Sequence, residues 1–154
     1  MKKEKMPWLV KRIKPPFIAL AVLVLMAVLT RLFAQSIVFQ SKILGSIFFI
    51  LGISLIVWAA SLFKKANTEL PPAGKPSALV IKGPFLYTRN PMYAGMTLAL
   101  IGASLGIGSL LSVLGPVAFM IVISTAFIPY EEKKMERIFG RKYVAYKKQV
   151  RRWV

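Results

Sequence analysis

Two stretches of the chain hold the residues that could do chemistry. The first is Leu79 to Tyr93, LVIKGPFLYTRNPMY, which carries Arg89, Asn90 and Tyr93. The second starts at Tyr130 and carries Glu131 and Glu132. The sequence has no His and no Cys. That removes the usual zinc, haem and iron–sulfur ligands, thiol nucleophiles, Ser-His triads and disulfides. What is left is a pair of carboxylates, an amide, the backbone groups of a turn, and aromatic faces. These suit a cationic, adenosine-like ligand: a carboxylate for hydroxyls or an amine, and aromatic faces for a ring and a sulfonium charge. A plain ion pair from Arg89 to Glu131 or Glu132, holding a loop to a helix, accounts for the same residues without a ligand.

The elements that must position these residues are apolar helices. The 154 residues are 56% hydrophobic, with a net charge of +17. A basic balance of that size could serve nucleic acid. Here the basic residues flank apolar runs, so the positive-inside pattern explains them instead, and no nucleic-acid partner is expected. Spans are expected at about 17–34, 43–63, 91–108 and 113–130. Six basic residues precede the first span, five lie in the central loop and nine follow the fourth, with only Arg31 and Lys42 near the other face. Both termini are therefore expected inside, and the N-terminal basic segment reads as leading into a retained first span.

Small residues mark the helix contacts. Gly45, Gly52 and Ala59 recur every seven residues in the second span, and Gly95, Ala99, Gly102 and Gly106 share a face in the third. Gly106-Ile107-Gly108 is no dinucleotide fingerprint, because no strand precedes it and the run is apolar. Ser109 to Ser112 is expected to form the turn into the fourth span, with Pro116 in that span's first turn. The loop 64–90 contains Pro71-Pro72, Gly74 and Pro76, yet Leu79-Val80-Ile81 gives it an apolar foothold. Gly83-Pro84 and Asn90-Pro91 are turn signals, and Pro91 suits a helix start.

After the fourth span, Met135, Phe139, Tyr143, Tyr146, Val150 and Trp153 form one apolar stripe at helical spacing, with Lys and Arg around it. The stripe fits a helix over 131–154, either lying on anionic lipid or covering a site, with Gly140 as a possible break. Spans three and four form a hairpin, so Arg89, Asn90, Tyr93, Glu131 and Glu132 should meet at one membrane surface.

Leu79-Val80, Gly83-Pro84-Phe85, Arg89-Asn90-Pro91-Met92-Tyr93 and Gly95 resemble the LV..GPY...RNPMY.G signature of the isoprenylcysteine carboxyl methyltransferase family. The related phospholipid N-methyltransferases are similar in plan. Glu131-Glu132, Met135, Phe139-Gly140, Tyr143, Tyr146, Val150 and Arg152-Trp153 resemble its second signature, EE..L...FG..Y..Y...V.RW. The resemblance covers roughly Asn67 to the C-terminus. It implies an integral membrane enzyme binding S-adenosylmethionine from the cytosol and methylating an amphiphile that enters from the bilayer. Carried over by position, it implies cofactor contacts at Ser77, Ala78, Leu79, Val80, Phe85, Tyr87, Asn90, Pro91, Met92, Tyr93 and Glu131, and catalytic support from Arg89, Glu131 and Glu132. Eukaryotic prenylcysteine enzymes have His where this chain has Asn90, and an Arg where this chain has Phe127. The Asn-Pro-Met-Tyr form resembles the short prokaryotic members.

The expectation is a single all-α integral membrane methyltransferase domain, residues 1–154, with four transmembrane helices and a cytoplasmic C-terminal amphipathic helix. Its partners are membrane lipids and a hydrophobic small-molecule acceptor, with no metal, and its place is the bacterial inner membrane. Carboxyl methylation is the expected type. Phospholipid headgroup N-methylation and a non-catalytic lipid-binding or scaffold protein are the rivals.

Overall fold

The computed structural model describes Val10 and residues 12–33, 38–71 and 74–153. Most of the basic N-terminal segment, the end of the first expected span with part of the 35–42 stretch that follows it, and Pro72 lie outside the described residues. Among the described residues, these α-helices carry the fold: α1 Pro15–Leu32, α2 Lys42–Lys65, α3 Pro91–Ile107, α4 Leu110–Val122, α5 Ile128–Phe139 and α6 Arg141–Gln149. A 3-10 turn, Gly83–Leu86, precedes α3, and a π-helical turn, Ile123–Phe127, joins α4 to α5. Among the described residues there is no strand, only an isolated bridge between Thr88 and Arg151.

Among the described residues, three helical stretches are long and apolar enough to cross a bilayer: Pro15–Leu32, Lys42–Lys65 and the continuous run Leu110–Phe139. The fourth apolar helix, Pro91–Ile107, is shorter at 17 residues. It is the central one. Tyr93, Met96, Ala99 and Leu100 on it are buried, while α1 and α2 leave Phe17, Val24, Ile43 and Ile50 exposed, as lipid-facing side chains would be.

The small residues explain how closely α2 and α3 approach. A Cβ added at Gly52 would lie 2.5 Å from the Gly95 carbonyl oxygen, and one at Gly102 would lie 2.6 Å from that of Gly45. Only hydrogen fits between these backbones, which is how helices gain packing energy where lipid offers no hydrophobic drive. At the far end, α3 stops at Gly108, whose φ of +78° suits a residue without a Cβ. Its carbonyl accepts from the Val38 and Phe39 N–H groups, and Ser109 caps α4. The turn is thus two residues, Gly108 and Ser109, shorter than the expected Ser109 to Ser112. Pro116 consequently lies inside α4 rather than in its first turn. Buried Ser104, Ser109 and Ser112, with half-buried Thr30, close this end through hydrogen bonds of their hydroxyls.

The π turn has a local cause. Pro129 has no N–H to give the Thr125 carbonyl four residues earlier, and its ring crowds that carbonyl. The chain widens just before it, so that the Ile128 N–H reaches the Ile123 carbonyl, five residues back. The C-terminal segment also departs from one continuous helix. Gly140, at φ +52°, separates α5 from α6, and α6 ends at Gln149. Val150 is extended, so Val150 and Trp153 lie off the helix on which their spacing would set them.

Candidate functional site

The loop between α2 and α3 is organised by its own polar groups. Asn67 turns the chain out of α2 with a φ of +47°. The Thr68 hydroxyl then accepts from the Ser77 and Ala78 N–H groups at 2.7 and 3.1 Å. The Glu69 carboxylate accepts from the Lys75 N–H, and Lys134 of α5 donates to the Gly74 carbonyl at 2.6 Å. These bonds hold Leu79 and Val80 inward. Leu79 packs on Met135, Tyr143, Tyr146 and Val150, while Val80 packs beside Phe63 and Phe85. The Phe63 and Phe85 rings meet edge to face with centroids 5.5 Å apart.

A cavity of about 310 Å³ lies between this loop, the start of α1, the start of α3 and the α5–α6 elbow. That is at the small end of the roughly 300–1,000 Å³ usual for ligand pockets. Its apolar walls include Phe63, Leu79, Val80, Phe85, Met92 and Met96, and its polar groups are Arg89, Asn90, Tyr93, Glu131 and Glu132, with Lys14 at the start of α1. Tyr143 and Tyr146 complete the lining from α6. Burial pushes the Tyr146 hydroxyl up to about 12, so it stays protonated and donates to the Phe85 carbonyl at 2.7 Å. The apolar stripe expected on the C-terminal segment therefore faces the loop.

The two carboxylates differ in their surroundings. Glu131 is 8% exposed and accepts a hydrogen bond from the Tyr93 hydroxyl at 2.5 Å. Glu132 is 4% exposed and is ringed by cations. Arg152 grips it with two bonds of 2.8 Å, Arg89 meets it at 3.0 Å and Lys147 lies at 3.6 Å. The bond to Glu132 raises the Arg152 guanidinium above its ordinary range. The ion pair expected from Arg89 thus forms with Glu132, not Glu131. It uses only one of the three guanidinium nitrogens. Nε and Nη1 of Arg89 are buried and have no hydrogen-bond partner among the described residues. A buried donor without a partner costs about 1–3 kcal/mol, more on a charged group, and Arg89 is among the residues that line the cavity.

Of the residues expected at the site, Leu79, Val80, Phe85, Arg89, Asn90, Pro91, Met92, Tyr93, Glu131 and Glu132 line the cavity. Ser77, Ala78 and Tyr87 do not: the first two tie the loop to Thr68, and Tyr87 is 73% exposed. Asn90 lines it, and one N–H of its amide donates to the Arg152 carbonyl at 2.9 Å. Lys14, Phe63, Met96, Tyr143 and Tyr146 are lining residues that the sequence reading did not single out as site residues. Phe63 could have been found four residues beyond Ala59, on the same face as Gly45 and Gly52, and Met96 one turn beyond Tyr93. Lys14 carries no such signal.

Residues 40–142 match the sequence model of the family described as phospholipid methyltransferase. The chain belongs to that family. An uncharacterised protein of Haemophilus influenzae is 40% identical over 63 residues, which is 41% of this chain and the whole of that protein. The protein-S-isoprenylcysteine O-methyltransferase B of Arabidopsis thaliana is 33% identical over 75 residues, 47% of this chain. The match covers 36% of the plant protein, so the chain spans about a third of that relative's length. No solved structure matches the chain. With its apolar helices, this member of the phospholipid methyltransferase family is a membrane protein.

Proposed function

We propose that this chain is a methyltransferase that uses S-adenosylmethionine to methylate a lipid-like or hydrophobic small-molecule acceptor at the cytoplasmic membrane face, by carboxyl methylation. One observation carries the assignment: Arg89 lines an apolar cavity beside Glu131, and two of its buried donors have no partner among the described residues. The donor set fits the group. Nε and Nη1 of Arg89 would take its carboxylate, Glu131 its amine or ribose hydroxyls, and Phe63, Phe85, Leu79 and Val80 the flat apolar adenine ring. When bound, S-adenosylmethionine supplies a methyl group already activated on a sulfonium.

The protein's own work is then alignment and the exclusion of water. Met92, Met96 and Met135 give the cavity an adaptable apolar wall suited to an acyl or prenyl-like tail. Lys14, at the start of α1, suits an anionic group on the acceptor. A carboxylate acceptor has no proton to lose, so it needs no base. An amine must first shed a proton, and Glu132, held by Arg89, Arg152 and Lys147, is poorly suited to accept one. The family description favours phospholipid headgroup N-methylation as the second assignment, with Glu131 as the proton acceptor.

We further propose that residues 1–154 form a single domain with four crossings and both termini cytoplasmic, in a bacterial inner membrane. At about 1.5 Å per residue, α3 is about 25 Å long, short of the ~30 Å hydrocarbon core, and its two-residue turn into α4 would extend its reach. By sequence, six basic residues precede the first span, five lie in the central loop and nine follow the fourth, which supports this orientation.

The test is calorimetry of S-adenosylmethionine binding to the protein in lipid nanodiscs. Saturable binding displaced by S-adenosylhomocysteine is expected. A folded protein that binds neither compound refutes the assignment and favours a scaffold role. Base lability of the radiolabelled product then separates a methyl ester from a methylated amine.

A further inference from the structure

The extended tail after α6 is not idle. The Arg89 N–H donates to the Arg151 carbonyl at 2.9 Å, completing the bridge between Thr88 and Arg151. The Arg152 carbonyl accepts from both the Thr88 hydroxyl and the Asn90 amide, each at 2.9 Å. The Trp153 ring packs against the main apolar core. The backbone on either side of Arg89 is thus pinned by the tail. The Arg152 guanidinium, in turn, holds Glu132 through both carboxylate oxygens, and Glu132 holds Nη2 of Arg89. A planar guanidinium with one nitrogen fixed by an oriented carboxylate presents its other two nitrogens in a fixed direction. With Glu132 free to rotate, Arg89 would lose that direction.

We propose that Arg152 is a positioning residue that, through Glu132, sets the Arg89 guanidinium to receive the carboxylate of the methyl donor. This rests on the assignment of S-adenosylmethionine to the cavity. Arg152 acts at one remove and touches no ligand. Its influence is therefore confined to the part of the ligand that Arg89 meets, which distinguishes it from a residue that merely holds the fold.

The experiment compares two ligands on four proteins. The ligands are S-adenosylhomocysteine and its decarboxylated analogue, which keeps the nucleoside, thioether and amine. The proteins are the full chain, Arg152→Ala, Arg89→Ala and the double variant, each in nanodiscs. Arg152→Ala is expected to weaken S-adenosylhomocysteine binding about tenfold, the scale of losing one charge-assisted bond, while the analogue changes by less than about twofold. In the Arg89→Ala background the Arg152 substitution should have no further effect. Arg152→Lys, which offers one contact where Arg offers two, should fall between. The same ligand ratio is read on it, so an unfolded alanine variant does not decide the outcome. Equal losses for both ligands, or no loss for either, overturn the positioning role while leaving the cofactor assignment intact. Absence of binding to the unsubstituted chain overturns that assignment and the positioning role with it.

Discussion

Replacing Gly52 by Ala adds one methyl group where the α2 and α3 backbones approach closely. Its Cβ would stand 2.5 Å from the Gly95 carbonyl oxygen, 2.6 Å from the Ala99 nitrogen and 3.0 Å from the Ala99 Cα. Ordinary contact begins near 3.4 Å, and every crowded atom is backbone, so no side chain can swing away. The helices must part by about 0.9 Å at this level, the shortfall at the closest contact. Overpacking of this kind costs about 1–3 kcal/mol. For a chain of this size that lowers the melting temperature by roughly 2–4 °C per kcal/mol. The damage should reach the cavity, because Gly95 lies one turn or less from Met92 and Met96 in its lining. The matched control is Gly106→Ala, where an added Cβ meets nothing within 4 Å. There, helix propensity should leave stability unchanged or raise it by up to about 1 kcal/mol. Thermal unfolding of both variants in one detergent, followed by tryptophan fluorescence, gives the comparison. Equal melting temperatures for the two would refute the close-packing argument.

Glu131→Gln and Asn90→Ala should each weaken S-adenosylmethionine binding in nanodisc calorimetry, the first by direct contact and the second through the Arg152 carbonyl that Asn90 holds; full affinity in both would remove these residues from the site. Tyr146→Phe strands the buried Phe85 carbonyl, and a loss of about 1 kcal/mol is expected in detergent unfolding, with no change counting against that bond. Ser112→Ala removes the hydroxyl that links Ser104 and Ser109, and should cost about 1–2 kcal/mol while leaving ligand affinity unchanged, because the hydroxyl set closes the opposite end of the bundle from the cavity.

What could be read from the sequence was what repeats locally. Apolar runs showed the helices, and the glycines at seven-residue spacing showed which faces of α2 and α3 are bare. Met135, Tyr143 and Tyr146 were visible as a stripe, though periodicity could not say whether it faced lipid or the loop. Arg89, Tyr93, Glu131 and Glu132 were brought together by the hairpin argument. What stayed hidden depends on contacts between distant segments. Val150 and Trp153 have helical spacing, but the hydrogen bonds to Thr88, Arg89 and Asn90 draw this stretch out straight. The bond from the Asn90 amide to the Arg152 carbonyl joins residues 62 apart in the chain, and no local spacing announces it. Ser109 as a cap moved the start of α4 upstream and left Pro116 in mid-helix, where residue type alone favoured a first turn.

The π-helical turn at Ile123–Phe127 separates two quantities that an unbroken helix ties together. A helix crossing a bilayer has its span set by hydrocarbon thickness, and each residue's azimuth then follows from its count along the axis, about 100° at a time. The extra residue in the turn rotates everything after it by about that step with little change in span. Glu131 and Glu132 owe their facing to it. Removing one residue between Ile123 and Phe127 would swing both carboxylates about a quarter-turn out of the cavity while the helix still crossed.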